Sequence, residues 1–105
     1  MYVVKIMNEF LHGAVWVYEN GIPSSWDKLE ADPVLSDLNQ KTMELYASYF
    51  EFDANGESYT FNEGLEKETK GEMLSLIGRI NKRLRELNNG DFEIEDYETE
   101  RLMNL

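Results

Sequence analysis

Cysteine is absent from these 105 residues, and histidine occurs once, as His12. Without thiols there is no disulfide framework and no thiolate metal site, which suits a reducing compartment and points to the cytoplasm. A zinc site would need His12 plus carboxylates or carbonyls alone, a poor set for that ion, so neither metal nor cofactor is expected. Long apolar runs are missing too. The stretch from Met1 to Met7 has no basic segment before it and no small-residue cleavage site after it, so it reads as a strand and not as a leader. Nothing approaches the ~20 apolar residues of a membrane-spanning helix. Bases are scarce: 10 lysines and arginines stand against 21 aspartates and glutamates, for a net charge of −11. That field repels phosphate backbones and anionic membranes, which argues against direct nucleic-acid or membrane binding, and it attracts basic proteins.

What is present suits a folded unit. Hydrophobic residues make up 42% and aromatics 12% of the chain, and a domain of this size removes about two-thirds of its unfolded surface from water. Residues 1–105 are therefore read as a single acidic domain of α+β class. Val3, Val4 and Ile6 form one β-branched run, and Ala14 to Tyr18 a second that carries Trp16 as a core residue. Together they predict a hairpin. Both prolines, Pro23 and Pro33, fall in a connector that also holds Trp26 and has room for one helical turn.

Asp32 as N-cap and Pro33 at the first helical position open a helix whose Leu35, Leu38, Thr42, Leu45 and Tyr49 share one face. Alternation over residues 50–53 and 57–61, with Asn55-Gly56 between, predicts a second hairpin. Asn62 caps a long helix with the stripe Leu65, Thr69, Met73, Leu76, Ile77, Ile80, Leu84 and Leu87, and Asn88-Asn89-Gly90 ends it. Gly64, Gly71 and Gly78 weaken that helix, and close packing on the sheet is the expected compensation. Phe92 and Ile94 mark a final strand, and residues 96–105 form a terminal helix or a loose tail. The architecture expected is two β-hairpins and the C-terminal strand in one antiparallel sheet, packed against two amphipathic helices.

Catalytic chemistry finds no motif. His12 at a strand entrance is read as a turn or packing residue, and no nucleophile, base and orienting group occur together, so the chain is not expected to be an enzyme. Asp53 to Glu57 offers oxygens at alternate positions, but a calcium loop starting at Asp53 would need Gly and Glu where Ser58 and Gly64 stand. No Walker or dinucleotide pattern surrounds the glycines.

The acids are unevenly placed. From residue 86 to 100 come Glu86, Asp91, Glu93, Glu95, Asp96, Glu98 and Glu100, with no base among them. With Phe92 and Ile94 facing the core, Asp91, Glu93 and Glu95 should line the opposite face of the strand, and Tyr97 sits among them as an interface anchor. Glu51, Asp53 and Glu57 form a second set on the middle hairpin. The bases are uneven as well: Arg79, Lys82, Arg83 and Arg85 crowd the end of the long helix, where they complement its dipole or dock the acidic C-terminus.

In size, acidity and lack of cysteine, and in the residues Asp91 to Glu100 with Glu51, Asp53 and Glu57, the chain resembles the small cognate immunity proteins of bacterial toxin systems, including those of contact-dependent growth inhibition. That resemblance implies a protein that binds its toxin, often a basic nuclease, and covers the active or substrate-binding site. The expected contact residues are Asp91, Glu93, Glu95, Asp96, Tyr97, Glu98 and Glu100, joined by Glu51, Asp53 and Glu57. Two other readings remain: a mimic of nucleic acid that blocks a DNA- or RNA-binding enzyme, and a small carboxylate-dependent enzyme.

Overall fold

The computed structural model describes residues 1–105 and has the α+β character expected. Strands β1 (Tyr2–Glu9) and β2 (Gly13–Glu19) pair antiparallel, Val4 opposite Val17 and Ile6 opposite Val15. Asn20 and Gly21, both at positive φ (52° and 80°), make a two-residue turn into a short edge strand, β3 (Ile22–Pro23). Positive φ at both turn positions is what Asn-Gly supplies with least strain, so this dipeptide closes a hairpin.

One helical turn, α1 (Asp27–Glu30), occupies the connector, and α2 (Pro33–Ala47) follows. Its cap is the expected one: the Asp32 carboxylate accepts from the Leu35 N–H at 2.9 Å, and it also accepts from Arg83 Nε at 2.9 Å. The Arg83 hydrogen bond holds the Asp32 carboxyl below the usual carboxylate range even though the residue is buried. Next come β4 (Phe50–Phe52), β5 (Tyr59–Phe61), α3 (Glu63–Leu87, capped by Asn62), β6 (Phe92–Asp96) and α4 (Glu98–Met103).

Two features depart from the expected single antiparallel sheet. The main sheet has the order β3-β2-β1-β6, and β6 runs parallel to β1, Tyr2 opposite Phe92 and Ile6 opposite Asp96. A helix of 25 residues is ~37 Å long, so α3 carries the chain back past the sheet to the end where β1 begins, and a strand entering there must run parallel. The β4–β5 hairpin is a separate two-stranded sheet. Its turn is longer than Asn55-Gly56 alone, because the Asp53 carboxylate accepts from the N–H groups of Asn55 and Glu57 and from the Ser58 hydroxyl, and Gly56 is its only positive-φ residue.

All helices lie on one face of the main sheet. The core joins Val4, Ile6, Ala14 and Phe92 from the strands to Leu29, Leu35, Leu38, Tyr49, the α3 stripe and Leu102 of α4. Thr42, inside that face of α2, is fully buried with its hydroxyl donating to the Asn39 carbonyl. The terminal residues therefore form a docked helix.

Two of the three glycines of α3 behave otherwise than expected, while a Cβ on Gly64 would lie 3.5 Å from the Asn62 side-chain oxygen. Gly71 and Gly78 are exposed, and nothing stands within 4 Å of where a Cβ would project from either. No close packing offsets their cost to the helix. Gly71→Ala and Gly78→Ala should each stabilise the fold by about 0.5–1 kcal/mol, read as a higher urea midpoint at unchanged slope. A lower midpoint would mean these positions touch something.

Candidate functional site

Alternation along β6 divides its side chains cleanly. Phe92 is buried and Ile94 packs against the core, while Glu93 and Glu95 point the other way, in register with Val3 and Lys5 of β1. On the same face β2 contributes Tyr18 opposite Val3 and Trp16 opposite Lys5. The apolar residues of the helices join the cluster around Val4 and Ile6 on the far side, so this face has no element over it.

Trp16 is therefore not a core residue. It lies half-buried on the open face with the His12 ring stacked on it, centroids 3.6 Å apart, and its indole N–H donates to the Met7 carbonyl at 3.0 Å. A β-branched strand with one solvent face reads much like a core strand, which is why the sequence misplaces this residue. Lys5 stands in the middle of the face, its ammonium 4.6 Å from the Tyr18 ring centroid and 4.0 Å from Glu95. The Glu93 carboxylate has no ion-pair partner.

The other expected contact residues divide into free and committed groups. Asp91 does not extend the row; it turns to Lys28 on α1 at 2.7 Å, and that hydrogen bond lowers its pKa. Asp96 is half-buried, and although burial opposes its charge, hydrogen bonds from Thr99, Asn81 and Glu98 keep its carboxyl below the usual range. These bonds start α4 and fasten it to α3. Glu98 is only 5% exposed, accepting from the Asn8 N–H at 3.0 Å and from Arg101 Nη2 at 2.9 Å. Neither Asp96 nor Glu98 is placed to meet a partner, because both are consumed by the fold.

Tyr97 is 51% exposed and donates its hydroxyl to Glu95 at 2.7 Å, a bond that raises the phenol's pKa. Glu100 is exposed and unpaired. On the hairpin, Glu51, Asp53 and Glu57 are all exposed and none forms an ion pair. The hydrogen bond from the Glu57 N–H, with that of Ser58, holds the Asp53 carboxyl below its ordinary range. Phe10, just beyond β1, packs on Phe50 and Phe52 at 4.5 and 5.9 Å. The hairpin therefore sits at the end of the sheet toward which β6 runs, and Asp91 stays at the opposite end.

The cations of α3 face elsewhere. Arg79, Lys82 and Arg83 line a shallow groove with Asp37, Lys41 and Glu86 of their own and the neighbouring helix. The acidic C-terminus does not dock there; Arg101 anchors it instead to Glu66 of α3. His12 borders an open groove of about 350 Å³ whose lining includes one carboxylate, Glu30, and no second. No three His, Asp or Glu side chains converge as metal ligands, and no helix is long and apolar enough to cross a membrane.

No family model, curated protein or solved structure matches the chain. Its function must be argued from this surface.

Proposed function

We propose that the protein is an inhibitor of immunity type: it binds a basic toxin domain with nuclease activity and covers the surface on which that domain holds its substrate. One observation carries the reading. Glu93 and Glu95 stand on an uncovered sheet face that also carries Trp16 and Tyr18 two strands away, with Val3 and Lys5 of β1 between the two sets and Tyr97 adjoining. Carboxylates at such a place steer a basic partner into encounter, and tryptophan and tyrosine are the residue types that most often carry contact energy once water is excluded. Around them the chain as a whole bears a charge of −11, so the attraction extends beyond the contact itself. Binding of this kind needs no cofactor and no catalytic group on the inhibitor, and it takes place in the cytoplasm, where such a toxin acts.

The test uses a basic toxin domain with nuclease activity, sought first in the product of the gene adjacent to this chain's own. Purified and assayed on nucleic acid, that domain should lose its activity when mixed with the inhibitor in equimolar amount, and unrelated nucleases should keep theirs. Full activity in the presence of a large molar excess rejects the reading. Inhibition of several unrelated nucleases, relieved by added duplex DNA, identifies nucleic-acid mimicry in its place.

A further inference from the structure

The β4–β5 hairpin is built from one aromatic face and one polar face. Its register sets Phe50 opposite Phe61 and Phe52 opposite Tyr59 on the first, and Glu51 opposite Thr60 on the second. The inner half of the aromatic face is anchored: Phe50 meets Phe10, Tyr46 and Phe61 with centroids 4.5, 5.4 and 5.2 Å apart, and the Asn62 N–H donates to the Tyr49 carbonyl at 2.7 Å. The outer half is less covered. Phe52 meets Phe10 at 5.9 Å and Tyr59 meets Phe50 at 5.5 Å, and the pair touch each other at 6.1 Å, yet Phe52 stays 55% and Tyr59 64% exposed, and every residue from 51 to 60 lies on the surface.

A two-stranded hairpin standing alone is marginal in water, and two adjacent exposed aromatic rings add to its cost. Here the form is fixed in advance by the Asp53 carboxylate, which gathers three donors across the turn. An element ordered before contact loses less entropy when it binds, so exposed rings on a pre-formed tip make an efficient insert.

We propose that this tip enters a cleft on the protein partner, with Phe52 and Tyr59 on an apolar floor and Glu51, Asp53 and Glu57 against basic walls. Charge identifies the occupant. Those three carboxylates have no cation of their own chain beside them, so the surface that receives them supplies lysine or arginine, and an arginine can also stack on either ring. A second copy of the chain would bring like charges face to face, and an anionic membrane would repel them. The inference rests on the proposed inhibitory function and adds the element that enters the partner and the chemistry of the site that accepts it.

Two measurements on the complex with the toxin domain proposed as the partner decide it. In the first, Phe52→Ala/Tyr59→Ala should accelerate dissociation by about 100-fold while leaving the association rate within about threefold, because truncated anchors act on the lifetime of a complex and not on its encounter. In the second, hydrogen exchange on the unmodified protein should show residues 53–58 protected on binding, which needs no variant to fold. Unchanged exchange there overturns the insertion whatever the double variant does, and so does a dissociation rate within about threefold of the parent. If the complex forms and only Glu93→Lys/Glu95→Lys weakens it, insertion fails and the inhibitory function stands. If the unmodified protein does not bind the domain at all, both fail.

Discussion

Replacing Arg101 with methionine is expected to destabilise the fold by about 3 kcal/mol, the low end of the range for breaking a buried ion pair because the arginine keeps contact with water. The guanidinium bridges two carboxylates that are otherwise sealed: Glu66 of α3 is 3% exposed and Glu98 of α4 5%, with Arg101 Nη2 at 2.8 and 2.9 Å from them. Hydrogen bonds from Arg101 to Glu66, and then to Glu98, raise the guanidinium's pKa, so it stays charged at any pH the fold survives. Its removal leaves two like charges close together with water largely excluded. The loss reaches beyond α4, since Glu98 also accepts from the Asn8 N–H and the Tyr97 N–H donates to the Ile6 carbonyl, tying this corner to the end of β1. Urea unfolding reads the effect as a fall in midpoint. Adding Glu66→Gln to Arg101→Met should recover part of it, because the uncompensated charge, not the missing side chain, is the main cost. A loss below about 1 kcal/mol, typical of surface pairs, would show that the cluster is more hydrated than its burial implies.

Local signals in the sequence are reliable where physics is local. Asp32 with Pro33, Asn62, and the stripes of α2 and α3 fix the helices to within a residue or two, since a cap and a 3.6-residue period need only near neighbours. The same holds for β1, β2 and the alternation of β6. Pairing direction is different. That β6 lies parallel to β1, and that β4–β5 stands apart, depends on where α3 delivers the chain, which no short window contains. Trp16 shows the limit for faces: the β-branched neighbours mark a strand, but which side meets helices is decided by residues far away.

The candidate surface was half legible for the same reason. A run of seven acids without a base is visible in the sequence, yet its division into free and committed members is not. Lys28 reaches Asp91 across 63 positions and Asn8 meets Glu98 across 90. Among the acids of the run within β6, Glu93 and Glu95 lie on the open face while Asp96 is bound into the start of α4, and Phe52 escapes notice because an exposed aromatic in an alternating strand looks like a core residue.

The second large effect concerns association. Glu93→Lys/Glu95→Lys inverts the sign of the open sheet face where only a 4.0 Å contact with Lys5 and the Tyr97 hydroxyl bond are at stake, so the fold should be kept. Asp96 and Glu98 must stay intact in this test, because changing them would dissolve the start of α4. Steering by a charged surface is worth about 10- to 1,000-fold in association rate and fades with added salt. The decisive measurement is the rate at which this double variant and its parent associate with the toxin domain proposed as the partner, followed from low to high ionic strength. The expected result is a fall of about tenfold or more at low salt, narrowing toward equality as the salt rises. Equal rates at low salt would remove the open sheet face from the encounter and contradict its place as the binding surface.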